Sequence, residues 1–177
     1  MNSKFLKRRL LILSFILVSA TVYVWAQSNQ PSPAATAKGT VNGANISIEY
    51  SSPSVKGRKI FGGLLPYDKI WRAGANKATV FTTDKKITVE GKSLAAGSYS
   101  VYMTPGVKTW KVIFNSETGQ WGTTHGGEST HDAAKDVIVV EVKPAKTKAL
   151  VESLKYEVTA KGVALSWENT LVPIAIK

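Results

Sequence analysis

ATVFTTDKKITVEGKSLAAGSYSVYMTPGVKTWKVIFN, residues 78–115, decides the fold. Short runs rich in Val, Ile, Thr, Tyr and Phe alternate with Gly, Pro, Asn or Asp, which is the pattern of strands joined by turns. Residues 78–83 and 86–90 flank Asp84-Lys85 and are expected to pair as a hairpin, with a further turn at Glu90-Gly91-Lys92. After Gly97, side chains Tyr99, Val101 and Met103 fall on one face, and Pro105-Gly106 closes the run. Trp110, Val112 and Phe114 then share a face opposite Lys111 and Ile113.

The same pattern continues outward in both directions. In NISIEYS, residues 45–51, Ile46, Ile48 and Tyr50 alternate with Ser47, Glu49 and Ser51, as in a half-buried strand. DVIVVEVK, residues 136–143, is apolar almost throughout and is expected to be a central strand covered on both faces. Runs at 150–159, 163–167 and 171–176 follow, with turns at Lys161-Gly162 and Glu168-Asn169. The total is about nine strands. From Gly39 onward no stretch sustains a helical apolar period, and the best helical candidate is a short turn around residues 65–71. The expectation is an all-β chain, an antiparallel, jelly-roll-like β-sandwich forming one domain over residues 40–177. The lack of an internal repeat argues against a propeller or solenoid.

The first 26 residues have the form of a secretory signal: Lys4, Lys7, Arg8 and Arg9 precede an apolar stretch from Leu10 to Trp25, and Val24-Trp25-Ala26 offers a cleavage site. Cleavage after Ala26 leaves Gln27 at the new N-terminus, and residues 27–39 are expected to be a polar, disordered tether. The rival reading is an uncleaved anchor, although an apolar stretch of roughly 16 residues is shorter than the ~20 that span a bilayer. The membrane is then touched only through this segment. Absence of cysteine rules out a lipid-anchored cysteine, a disulfide, a thiol nucleophile and a cysteine metal site. An exported protein, periplasmic or extracellular, is expected.

Without the four cations of the signal the chain carries 19 basic and 12 acidic residues, a net charge of +7. The cations are scattered apart from Lys56-Gly57-Arg58-Lys59, so they suit the solvent face of a sheet and the protection of its edges better than a nucleic-acid footprint. No nucleic-acid partner is expected.

Residues 50–115, beginning YSSPSVKGRKIFGGLLPYDKIWRAGANKATVFTT, closely resemble a family of exported bacterial proteins known as domain of unknown function 2911. The resemblance continues through TGQWG at 118–122, the strand at 136–142 and LSWENTLVPIAI at 165–176. It implies an exported β-rich domain of the kind common in Bacteroidetes-like bacteria, and it carries no established activity. Some family members bear an asparagine-synthetase label, which this chain does not fit. It lacks the N-terminal cysteine nucleophile of the glutaminase half, and it reads as all-β where the synthetase half needs a glycine-rich pyrophosphate loop on an α/β scaffold.

Two stretches could carry chemistry. The connection at 54–79 is too long for an ordinary hairpin loop and concentrates Lys56, Arg58, Lys59, Lys69 and Arg72 with Tyr67, Trp71 and Asn76. Arg58 and Arg72 could supply charge to a carboxylate or phosphate, Tyr67 and Trp71 an apolar face, and Asn76 a hydrogen bond. The competing reading is a lid in which Phe61, Leu64, Leu65, Ile70 and Trp71 pack over one end of the sandwich while Arg72 satisfies buried carbonyls. The second stretch, HGGESTHD, holds His125, Glu128, His131 and Asp132 within eight residues. These are weak metal-ligand candidates, because a glycine-bearing loop does not fix ligand directions. Ser129, His131 and Asp136 make a catalytic set on paper only, without the nucleophile elbow that usually presents such a serine.

The reading of residues 54–79 that follows is a non-catalytic binding or interaction module for a small anionic or glycan-like ligand or an envelope protein, working without a cofactor. The alternatives are a hydrolase or metal-assisted enzyme, and a structural envelope protein with no ligand.

Overall fold

Every second side chain in these runs is apolar, so each strand has one face that must leave water, and two sheets stacked face to face meet that demand. The computed structural model describes residues 32–177. The expected signal and residues 27–31 of the tether lie outside the described residues. In chain order the strands are β1 (Ala34–Val41), β2 (Ala44–Ser51), β3 (Thr79–Thr83), β4 (Ile87–Val89), β5 (Lys92–Leu94), β6 (Gly97–Thr104), β7 (Trp110–Asn115), β8 (Asp136–Val142), β9 (Ala145–Thr159) and β10 (Gly162–Ala175). Helical structure among the described residues is confined to one 3-10 turn at Ala133–Lys135, so no helix there is long and apolar enough to cross a membrane.

One layer is a six-stranded sheet in the order β1-β2-β3-β6-β7-β8, antiparallel throughout. The other holds the β9–β10 and β4–β5 ribbons, which join where Val89 bridges Ile176. Between them Ile46, Ile48, Phe81, Val101, Met103, Val112, Phe114 and Val140 meet Leu154, Tyr156, Leu165, Val172 and Ile174 in one buried cluster. The fold is therefore the all-β antiparallel sandwich that the alternation implies.

Four details differ from the sequence expectation, each for a physical reason. Residues 34–39 of the proposed tether belong to β1, paired in register from Ala34↔Ser51 to Val41↔Ala44. Its small side chains carry little hydrophobic signal, but they let the strand lie close to β9: an added Cβ on Gly39 would stand 2.8 Å from Val158 Cγ1. The 78–83 and 86–90 runs do not pair, because β2 and β6 already occupy both edges of β3. The chain turns at Asp84 into the other layer, where β4 pairs β5 across the expected turn at Glu90-Gly91. Strand β8 is an edge strand, not a central one. Its second apolar face is explained by a small outer cluster in which Val139 packs on Ala78, Tyr102 and Ile113. Lys92 Nζ donates to the Val139 carbonyl at 2.7 Å and helps to cover the strand. Finally, 163–167 and most of 171–176 fall in one element, β10, which nonetheless reverses at the expected Glu168-Asn169 turn: φ of Glu168 is +55°, the β9 register breaks on either side of it, and Ile176 N donates to the Lys161 carbonyl.

The Asp84 corner is held electrostatically. Its two carboxylate oxygens accept from the backbone N and the Nδ2 of Asn45, both at 2.7 Å. The backbone donor is the main cause holding its pKa below the ordinary aspartate value, with the Asn45 side chain and Lys85 acting in the same direction. A depressed folded pKa stabilises the fold above the unfolded value and loses that contribution as pH falls through the folded one. Acidification below the ordinary carboxylate range is therefore expected to lower the urea midpoint of the wild type more than that of Asp84→Asn. Parallel pH profiles for the two proteins would contradict this account.

Candidate functional site

The 27 residues between β2 and β3, numbers 52–78, are fixed at several points along their course. Pro53 and Val55 pair with β9 through Leu154 N→Pro53 O and Val55 N→Glu152 O, at 2.9 and 2.7 Å. Arg58 then folds over its own turn, donating from Nε to the Val55 carbonyl and from Nη2 to the Ser54 carbonyl. Glu168, at the reversal of β10, accepts from Ile60 N at 3.1 Å. Phe61 follows at 5% exposure, and Trp71 at 7% exposure exchanges two 2.8 Å backbone hydrogen bonds with Met103. Two aromatic side chains from this connection thus enter the main core beside Trp110 and Trp167.

Beyond Trp71 the backbone is forced through a left-handed residue. Ala73 has φ of +54°, a conformation that costs a non-glycine residue roughly 1–2 kcal/mol. Its buried carbonyl accepts from Thr79 Oγ1 at 3.0 Å and from the Tyr156 hydroxyl at 2.9 Å. Burial holds the Tyr156 phenol protonated well above its ordinary range, so it remains a donor. This double anchor sits directly after Arg72 and sets where that side chain emerges. Tyr156→Phe is expected to lower stability by about 1 kcal/mol, the loss of one net hydrogen bond. A urea midpoint equal to that of the wild type would show that the second bond contributes nothing.

The other wall of the site comes from the β7–β8 connection, residues 116–135. Tyr102, buried on the outer face of β6, stacks edge-on against His131 and accepts from Gln120 Nε2 at 3.0 Å, and burial raises its pKa. His131 Nε2 meets Asp136 Oδ1 at 2.7 Å, and Asn115 Nδ2 donates to the same carboxylate. Gly122 lets this connection lie on the arginine: with φ of +84°, it approaches so closely that an added Cβ would stand 3.1 Å from Arg72 Cβ and Cδ.

Where the two connections meet there is a cleft of about 540 Å3, lined on one side by Leu64, Leu65, Pro66, Lys69, Ile70, Trp71 and Arg72. On the other side are Thr123, Gly126, Gly127, Glu128 and Ser129. Its volume lies in the range of about 300–1,000 Å3 that small-molecule sites occupy. The lining mixes apolar side chains with the charged Lys69, Arg72 and Glu128. Arg72 is half-buried, donates from Nη1 to Thr123 Oγ1 at 2.9 Å, and keeps a buried Nε with no partner. Desolvation lowers its pKa, with the nearby Tyr102 acting the other way. Ion pairs among the described residues are His131–Asp136 and Lys155–Glu157, so Arg72 has no carboxylate in contact. Concavities of about 580 and 550 Å3 elsewhere lie over strands and strand ends. The 540 Å3 cleft is set apart by uniting both stretches that the sequence marked out.

The expected site residues separate. Arg72 and Trp71 line the cleft, Trp71 mainly as a core residue whose Nε1 donates to the Gly74 carbonyl. Arg58 is outside the cleft lining and caps its own turn. Tyr67 packs on Gly62, where an added Cβ would meet its ring at 2.5 Å. Asn76, with φ of +57°, donates from Nδ2 to Ser51 Oγ. The lid reading holds for Phe61 and Trp71, whereas Leu64 and Ile70 remain 47% and 37% exposed. Buried carbonyls are satisfied by Trp71 and Tyr156, not by Arg72.

His125, Glu128, His131 and Asp132 are not gathered into one ligand set, and the described residues contain no cluster of three or more His, Asp or Glu able to hold a metal. Glu128 lines the cleft, Asp132 caps the 3-10 turn through Ala134 N, and His131 is committed to Asp136. The paper set of Ser129, His131 and Asp136 is also undone: Ser129 Oγ accepts from the backbone N of His131 and is not hydrogen-bonded to its ring. Glu128 and the Gly126-Gly127 turn are cleft residues that sequence reasoning did not unite with Arg72.

The chain belongs to the family described as "Protein of unknown function (DUF2911)", which matches residues 32–176. No curated protein and no protein of solved structure matches it.

Proposed function

We propose that this member of the DUF2911 family is an exported, non-catalytic binding module whose cleft between residues 64–72 and 123–129 takes a small ligand bearing an anionic group. The observation that carries the reading is Arg72: a half-buried guanidinium without a carboxylate partner, in a cleft lined also by Leu64, Leu65, Pro66 and Ile70. Placing a cation in partial burial is unfavourable unless an anion completes the site, and a carboxylate received by a guanidinium is among the stronger polar contacts available. The expected result is that glucuronate or inorganic phosphate raises the thermal midpoint with concentration, as mass action requires. Arg72→Met, which keeps the stem packed on Gly122, is expected to abolish that shift. No shift with any anion would overturn the reading and favour a ligand-free envelope protein, which the burial of Phe61 and Trp71 also suits. Export is tested separately by sequencing the mature protein: an N-terminus at Gln27 supports it, and an intact Met1 on protein retained in the cytoplasm opposes it.

A further inference from the structure

The cleft carries charge of both signs. Arg72 and Lys69 stand on one wall and Glu128 on the other. None of the three forms an ion pair with another, or with any other described residue. Opposite charges that merely decorate a surface are free to meet. Here they line one cleft without pairing, beside the apolar side chains of Leu64, Leu65, Pro66, Ile70 and Trp71. A simple anion would use one wall and leave the Glu128 carboxylate to repel it. A ligand with both charges would use both walls and cover the apolar lining with its own apolar part.

We infer that the ligand of this cleft is a zwitterion with an apolar body, a short peptide or free amino acid, with its carboxylate at Arg72 and Lys69 and its ammonium at Glu128. The apolar side chain of the ligand then lies over Leu64 and Ile70, which are 47% and 37% exposed without it. The assignment rests on the binding reading above and narrows it. It predicts discrimination at both ends of the ligand, because each end meets a charge of opposite sign and a neutralised end leaves one protein charge uncompensated.

The test is calorimetric titration of the full mature protein with the dipeptide alanyl-leucine, its N-acetyl form, its C-terminal amide, and glucuronate. Alanyl-leucine is expected to bind most tightly, and each blocked form at least roughly tenfold more weakly, as for loss of one charge-assisted contact. Glu128→Gln is expected to weaken the free dipeptide by a similar factor while binding the N-acetyl form at least as well as the wild type does. Because Glu128 is an exposed loop residue, the variant should fold, which its unfolding midpoint will verify. Glucuronate or N-acetyl dipeptide binding as well as free dipeptide would overturn the zwitterion assignment and leave the anion-binding reading standing. Failure of all four overturns the zwitterion assignment, and failure of inorganic phosphate as well overturns the anion-binding reading with it.

Discussion

Phe61→Ala is expected to destabilise the domain by about 3–5 kcal/mol, the usual cost of emptying a buried aromatic site. The residue sits in a long connection, where substitutions are ordinarily mild, so the size of the effect tests whether this connection is part of the core. Its ring lies edge-on to Trp110 at 4.8 Å between centroids, to Trp167 at 5.9 Å and to Trp71 at 6.3 Å. Trp71 and Trp167 are themselves stacked at 5.9 Å, so Phe61 is the piece that joins three indoles from three parts of the chain. Deleting it removes edge-to-face contacts worth roughly 0.5–1.5 kcal/mol each and leaves a void between rigid rings that cannot close over it. The thermal midpoint should fall by on the order of 10 °C. Tryptophan fluorescence should report the change directly, since Trp71, Trp110 and Trp167 all border the gap. Leu64→Ala, three residues on but 47% exposed, is expected to change stability by less than about 0.5 kcal/mol. Equal effects from the two substitutions would refute the view that the connection is pinned through Phe61.

The strands were legible in the sequence wherever one face of a strand meets the core and the other meets water. Trp110, Val112 and Phe114 all enter the core as their alternation implied. The expectation failed where burial had another source. Strand β8 is apolar on both faces although it lies at the sheet edge: Val140 and Val142 enter the main core while Val139 packs outward on Ala78, Tyr102 and Ile113, and a run of letters does not distinguish such a small outer cluster from cover by a second sheet. Strand β1 is recruited from a segment of small and polar residues whose pairing comes from the neighbouring strand, so no periodic signal announces it. The site was legible in part for a similar reason. Arg72 stood out by its type in a long connection. Its meeting with Glu128 depends on two connections, 56 positions apart in the chain, being brought to one end of the sheet. That juxtaposition is a consequence of strand order, which composition does not encode.

Gly162→Ala is expected to cost about 3 kcal/mol, from a left-handed backbone that alanine resists and from overpacking against main chain. Gly162 has φ of +137°, and it faces the returning end of β10 so closely that a Cβ would stand 2.1 Å from the Ile174 carbonyl oxygen and 2.7 Å from Ile176 N. Neither neighbour is the free end of a side chain, so relief requires the backbone to move. Ile176 N donates to the Lys161 carbonyl, and Val89 bridges Ile176, so a shift there disturbs the contact joining β10 to β4. Val172, Ile174 and Ile176 would lose register together, because all three point into the core from this returning segment. Hydrogen exchange should show the loss at residues 87–89 and 172–177 first, with the amides of β6 and β7 protected until global unfolding. The cleft lies elsewhere in the domain and none of its lining residues belongs to this contact. Ligand affinity measured well below the lowered midpoint is therefore expected to match that of the wild type. An unchanged stability would mean that β10 does not double back at Glu168 as described, whereas a loss of affinity without a loss of stability would show that the two ends of the sandwich are coupled.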